Sequence, residues 1–238
     1  MNKVLRDVLL RRFGLERSYR PPALLRHPEW NFESQLELVV AHHLRFRPDF
    51  VFLQVGAFDG LTGDPIRPLV EAFGLRGIVV EPQRELLDTL KANYARYPQV
   101  KIVNAAIADV DGKRDFYVST RGPSRKASFF RAHLVKHGVP DEEIETRTIP
   151  CLTIATVLAR HGIERCDFIQ VDAEGYDYQI VRTIDFAVTR PLIVSFEHAH
   201  MSNRESNECV ELLASHGFRF MGTRRDIIAL REPEPSGR

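Results

Sequence analysis

The residues of this chain that can do chemistry recur at one kind of place. Gly56 follows the apolar run 51–55, Glu81 closes 77–81, Asn104 closes 100–104, Asp172 follows 167–171 and Glu197 follows 191–196. A chance scatter of polar residues does not favour the ends of apolar runs in this way. The turn Gly56-Ala57-Phe58-Asp59-Gly60 has glycines that allow positive φ and let a ligand approach the backbone closely. Glu81 stands about twenty residues beyond that turn, the spacing at which an acid accepts hydrogen bonds from ribose hydroxyls. A carboxylate accepts from two adjacent hydroxyls and repels a 2′-phosphate, so an unphosphorylated adenosine ligand is expected. Helix capping is the structural alternative for any one of these residues taken singly.

For these residues to converge, the apolar runs have to be parallel strands whose carboxyl ends share one edge. The chain has that rhythm. The run 51–55 reads as a strand buried on both faces, 65–73 as a helix closed by Gly74, and 77–81 as a second strand. A helix over 84–97 and a strand over 100–104 complete β-α-β-α-β with short links. The segment 112–150 leaves the rhythm. It holds a hairpin-type turn at Asp111-Gly112, a strand over 115–119, a polar loop over 121–126, a helix over 129–137 and an edge strand over 143–149. It reads as an insertion over the carboxyl edge, a lid or acceptor-binding element. Regularity returns with a helix at 153–161, a strand at 167–171, a helix at 176–184 and a strand at 191–196. A helix at 205–216 and a closing hairpin of 218–221 with 227–230 follow.

The expected organisation is therefore an N-terminal helical extension or cap over 1–49, a domain over 50–231, and a disordered tail over 232–238 with two Glu-Pro pairs. Residues 1–30 suggest a short basic amphipathic helix carrying Arg6, Arg11 and Arg12. Residues 31–44 suggest a helix capped by Asn31. With 33 basic and 32 acidic residues there is no global field calling for nucleic acid or an anionic membrane. Three well-separated cysteines, Cys151, Cys166 and Cys209, show no metal spacing and suit reduced thiols of a cytoplasmic protein. No apolar run reaches membrane-spanning length.

NAD and S-adenosylmethionine both carry an unphosphorylated adenosine. A dinucleotide wants a Gly-x-Gly-x-x-Gly turn at a helix N-terminus for its pyrophosphate. Here no third glycine falls in phase, and Asp59 puts an anion where the pyrophosphate would lie; a sulfonium with a free amino group tolerates that acid. Capping of the next helix is the other reading of Asp59. The blocks Gln54-Val55-Gly56-Ala57-Phe58-Asp59-Gly60, Val80-Glu81-Pro82, Asn104-Ala105-Ala106-Ile107 and Val171-Asp172-Ala173-Glu174-Gly175-Tyr176-Asp177 together resemble the FkbM-type family of S-adenosylmethionine-dependent methyltransferases. The resemblance covers about residues 50–200, and the Asp-x-Glu-Gly block is its most specific part.

That resemblance implies an α/β, Rossmann-like class I methyltransferase fold. Its seven-stranded, mostly parallel sheet carries helices on both faces and an antiparallel last strand. It also implies O-methylation of a hydroxyl on a sugar, a glycan or a natural product. Carried over by position, Gln54, Gly56, Ala57, Asp59, Gly60, Glu81, Pro82, Asn104, Ala105, Ala106 and Asp172 would bind the cofactor. Glu81 would hold the ribose, the two alanines would lie near the adenine, and Asp172 would face the methionine end. Gln54 departs from the acid that class I enzymes generally carry there, so its amide would bond the cofactor without charge.

A sugar hydroxyl needs a base to remove its proton. Asp172, Glu174, Glu197, His198 and His200 are candidates, with His198 first because imidazole titrates near neutral pH, and Asp172 and Glu174 beside it. A divalent metal on Asp172, Glu197, His198 and His200 is possible but not expected. In the lid, Ser124, Arg125, Lys126 and Ser128 offer donors to an anionic acceptor. A nicotinamide oxidoreductase and a non-catalytic cofactor-binding module are the rival readings. Oligomeric state is not encoded in any pattern here.

Overall fold

The computed structural model describes residues 34–232. The chain divides into two units, Met1–Leu38 and Val39–Arg238. The basic helix expected over 1–30, Asn31 as a cap and the tail from 233 onward lie outside the described residues. Helix α1 covers Gln35–Leu44, and its start is capped by Ser34, whose Oγ accepts from Glu37 N–H at 3.0 Å.

The second unit is built on a seven-stranded sheet of β1 (Val51–Val55), β2 (Arg76–Val80), β3 (Val100–Val103), β7 (Phe168–Val171), β8 (Ile193–Glu197), β9 (Arg219–Gly222) and β10 (Asp226–Leu230). Their order is β3-β2-β1-β7-β8-β10-β9. The first five run parallel, while β10 is antiparallel to both neighbours. The chain's last strand is thus the reversed one, as the class I methyltransferase fold requires.

The central strands are buried along their whole length, which explains their near-continuous apolar sequence. Phe52, Phe168 and Phe196 are fully sealed, and truncating any one of them to Ala is worth about 3–5 kcal/mol. Three polar residues interrupt the runs in one row, because Gln54 pairs with Gln170 and Gln170 with Ser195 across the sheet. Side chains in register share a face, so the interruption falls on one side of the sheet only.

Helices α2 (Arg67–Phe73), α3 (Leu87–Tyr94), α5 (Ile154–Arg160), α6 (Asp177–Val181), α7 (Phe186–Thr189) and α8 (Asn203–Ser215) connect the strands. The helix expected over 84–97 is a 3₁₀ turn at Arg84–Leu86 followed by α3. Pro98 disfavours helical backbone at Tyr97, and the chain leaves the helix before it. Helix α8 begins with a capping box between Ser202 and Glu205.

The segment expected as an insertion forms a second sheet with β4 (Ala106–Ile107). Strands β5 (Gly112–Ser119) and β6 (Ile144–Leu152) pair antiparallel over eight rows, and β6 pairs parallel with β4. Both strands run longer than the sequence suggested because β6 is stitched to β4 through Cys151 and Leu152. Between them lies helix α4 (Arg131–Lys136). Among the described residues no helix is long and apolar enough to cross a membrane. All three cysteines are buried and free.

Candidate active site

The carboxyl ends of β1, β2 and β7 open onto one cavity, whose free space together with its open mouth comes to about 790 Å³. Gln54, Gly56, Ala57, Glu81, Pro82, Ala105, Ala106 and Asp172 line it, as does Glu174. Segments far apart in sequence therefore meet at a single rim.

The rim is fixed by main-chain bonds. Gly56 and Ala57 N–H both donate to Val80 O, at 3.0 and 3.1 Å, and Asp172 N–H donates to Val55 O at 3.0 Å. Gly56 sits at φ +82°, and a Cβ there would lie 1.8 Å from Asp172 O. No side chain can move aside to relieve that overlap, because the obstructing atom is backbone. Phe58 takes a left-handed φ of 49°, a conformation costing about 1–3 kcal/mol for a non-glycine residue. In return its N–H donates to Glu81 Oε2 at 2.8 Å.

Glu81 is 2% exposed. Besides Phe58, it accepts at Oε1 from Gln83 N–H at 2.9 Å and Gln83 Nε2 at 3.2 Å. A carboxylate has about four acceptor sites, so roughly one remains for a ligand hydroxyl where the sequence suggested two. Burial pushes the Glu81 carboxyl up to about 7, against the pull of those donors.

Gln54 donates through Nε2 to Asp64 Oδ1 at 3.0 Å. The same oxygen caps α2, accepting from Ile66 and Arg67 N–H at 2.7 and 3.0 Å. Asp64 had no sequence signal beyond its place before Pro65; it supplies an acid against Gln54, with burial raising its carboxyl. Gln54 Oε1, Gln170 Oε1 and Asp172 Oδ1 are buried without a hydrogen-bond partner, and all three residues line the cavity.

After β7 the loop is organised by Asp177, fully buried, which accepts from Ala173 and Gly175 N–H, each at 3.1 Å. Asp172 is pushed up to about 8, first by burial and then by Asp177, Glu197 and Glu174. Asp177 itself rises to about 7, chiefly through burial. Glu174 has a left-handed φ of 47°. Its Oε2 lies 3.0 Å from His133 Nε2 and 3.7 Å from His200 Nε2, and His200 Nε2 lies 3.3 Å from Glu197 Oε2. His137 joins them, its ring 4.4 Å from His133 and 4.8 Å from His200. Burial lowers the His137 and His200 imidazoles below the ordinary histidine value.

Four expected residues stand elsewhere. Asp59 turns its carboxylate onto its own loop, accepting from Leu61 N–H, Thr62 N–H and Thr62 Oγ1 at 2.6–3.0 Å. It closes its own turn and does not cap the next helix, whose first N–H groups are taken by Asp64. Gly60 makes room for Leu90 and Tyr94 of α3. Asn104 braces the end of β2, donating to Glu81 O at 2.8 Å and Pro82 O at 3.1 Å. His198 points to Thr223 O at 3.2 Å, and its neighbour His200 takes the place beside Glu174. Of the alternative metal set Asp172, Glu197, His198 and His200, possible but not expected from the sequence, Glu197 and His200 lie together with Glu174, His133 and His137. The last two lie at i and i+4 on one helical turn, a spacing visible in the sequence.

Of the lid donors, only Arg125 lines the cavity, its guanidinium 5.1 Å above the Phe58 ring. Ser124 N–H donates to Gln83 Oε1 at 2.9 Å, and Gln83 Nε2 donates to Ser124 O at 3.0 Å. Lys126 Nζ donates to His137 O, and Ser128 Oγ to Glu174 O, at 2.6 and 2.8 Å. These three bond within the loop and to its neighbours and do not line the cavity.

Residues 54–220 match the family model described as the methyltransferase FkbM domain. No curated protein matches the sequence. Among solved structures, a methyltransferase FkbM from Methylobacillus flagellatus is similar at 13% identity and a TM-score of 0.50, over 76% of this chain and 44% of that one. This chain thus spans less than half of that protein. The O-methyltransferase TomG of Streptomyces achromogenes, in complex with SAM, gives 15% identity and a TM-score of 0.47, over 97% and 99% of the two chains. A Bacillus cereus O-methyltransferase in complex with SAH gives 13% and 0.45, over 98% and 92%.

Proposed function

Because the chain belongs to the FkbM methyltransferase family, we propose that it moves a methyl group from S-adenosylmethionine to a hydroxyl of a sugar, glycan or natural-product acceptor. Membership in that family sets aside the nicotinamide oxidoreductase. The observation that carries the reading is the wall of acceptors around one cavity: Glu81, Asp172 and the partnerless oxygens of Gln54 and Gln170. Such a wall suits a ligand rich in hydroxyl and ammonium donors and bearing positive charge. S-adenosylmethionine, when bound, supplies a methyl group already activated on a sulfonium.

The chain's own residues then divide the work. Glu81 holds a ribose hydroxyl, and Gly56, Ala57, Ala105 and Ala106 leave space for the flat parts of the nucleoside. Asp172 faces the cationic end. Alignment of acceptor and methyl is worth on the order of 7–11 kcal/mol. The acceptor's proton leaves toward the group formed by Glu174, His133 and His200, a placed base being worth about 10²–10⁴-fold. The loop 120–130 acts as a lid, anchored by Gln83 and presenting Arg125 to the acceptor. The balance of charge favours a small-molecule or glycan acceptor over nucleic acid, and three buried thiols favour a reducing, cytoplasmic setting.

Calorimetry with S-adenosylmethionine and NAD, followed by turnover on a panel of hydroxyl-bearing glycans and natural products, tests the reading. Binding of the sulfonium cofactor and release of S-adenosylhomocysteine with one acceptor class are expected. Preference for NAD, or cofactor binding without transfer to any hydroxyl, would sink it.

A further inference from the structure

Five side chains, His133, His137, His200, Glu174 and Glu197, gather around Glu174, which lines the cavity, and are packed as ligands are packed. Their ligating atoms form two groups sharing His200, and within each group every atom lies within 4.8 Å of the others. The three carboxylate–imidazole separations of 3.0, 3.3 and 3.7 Å bracket the edge of about 3.4 Å expected between ligands roughly 2.1 Å from a tetrahedral centre, which would take at most four of the five side chains. We propose that this cluster is a binding site for one borderline first-row divalent cation of the Zn²⁺ type.

Two buried atoms lack a hydrogen bond, and one of them, Glu197 Oε2, has only the ion-pair contact with His200 Nε2 at 3.3 Å. Glu197 is 3% exposed; Arg225 donates to its Oε1 through Nε at 3.0 Å, while Oε2 has no hydrogen-bond donor. His137 Nε2 is likewise buried with no hydrogen-bond partner. A buried polar atom left without a hydrogen bond costs about 1–3 kcal/mol, and the two atoms belong to the two ligand groups that share His200. Three imidazoles with two carboxylates favour Zn²⁺ and its neighbours over Mg²⁺ or Ca²⁺, which call for oxygen ligands alone. The site is also braced from outside. Lys126 holds His137 O, Ser128 holds Glu174 O, and Arg225 fixes Glu197. Supports of this kind orient ligands.

Glu174 belongs to both the cluster and the cavity. A cation there would acidify a hydroxyl brought to it, a consequence that rests on the transferase reading above. Binding of the ion does not rest on it.

The chelator-treated chain is titrated with Zn²⁺ by calorimetry, and with Co²⁺ while its visible ligand-field spectrum is recorded. One ion per chain and a Co²⁺ spectrum of mixed nitrogen and oxygen ligation are expected. His137→Ala and His200→Ala should each weaken Zn²⁺ binding by about 100-fold or more, beyond what loss of an outer partner costs, and His198→Ala should leave it unchanged. A wild-type chain that takes up no stoichiometric Zn²⁺, or an affinity that the His137 and His200 variants do not alter, overturns the proposal. S-adenosylmethionine binding is titrated on every metal-free protein as the measure of folding. Cofactor binding without metal binding removes this inference alone, and metal binding without cofactor binding removes the transferase reading alone. The wild-type Co²⁺ spectrum decides the matter even where a variant does not fold.

Discussion

Glu81→Gln is the substitution with the most closely determined outcome. Three of the carboxylate's roughly four acceptor sites are taken, by Phe58 N–H, Gln83 N–H and Gln83 Nε2. One is left for the ribose. A hydrogen bond to a charged group is worth about 1.5–3 kcal/mol, or roughly 10- to 150-fold in affinity. The amide keeps one acceptor oxygen and turns an NH₂ toward either Phe58 or Gln83, so the folded chain should lose about 1–3 kcal/mol as well. The assay is calorimetry of S-adenosylhomocysteine and of its 2′-deoxy and 3′-deoxy analogues at pH 8.5. At that pH a carboxyl raised to about 7 is ionised. In the wild type one deoxy analogue should bind about 10- to 150-fold more weakly, while the other binds nearly as well as the parent. In Glu81→Gln that penalty should collapse. A deoxy penalty of equal size in wild type and variant would refute the reasoning, since the hydroxyl would then be held by something else.

Gly56→Ala places a methyl 1.8 Å from Asp172 O at φ +82°; cofactor affinity should fall at least tenfold by calorimetry, and an unchanged Kd would show that the rim can open. Stability should also fall with rising pH between 7 and 9. The folded chain keeps Asp172 protonated up to about 8, whereas the unfolded chain has already released that proton, so folding becomes harder as pH climbs. Over that window the group is worth on the order of 1 kcal/mol. Urea melts at pH 7, 8 and 9 should show the decline, and Asp172→Asn should flatten it; a slope identical in the variant would discard the assignment.

The sequence made the sheet and its rim legible for a physical reason. Strands buried on both faces are written as unbroken apolar runs, and in a parallel sheet the residues that end them converge by topology alone. Glu81, Asp172 and the glycine turn needed no further information. His198 and His200 show where that logic stops. Both follow β8, and which of them meets Glu174 depends on how the turn meets Thr223 and Arg225 just before the reversed strand. Asn104 and Asp59 failed for the opposite reason, because a polar residue at a strand end serves the backbone as readily as a ligand. His133 and His137 lay inside the irregular segment, where no run of strands announced a destination. Only their i, i+4 spacing, from α4 to the residue that caps its end, hinted at a shared face.

Gln83 grips Ser124 by its peptide N–H and C=O, as one strand grips another. The grip does not depend on which side chain stands at 124. Relatives could therefore diversify the tip of this loop, or exchange it by grafting, while its attachment beside Glu81 stays in place. Changes of acceptor preference would then cost the rest of the molecule little.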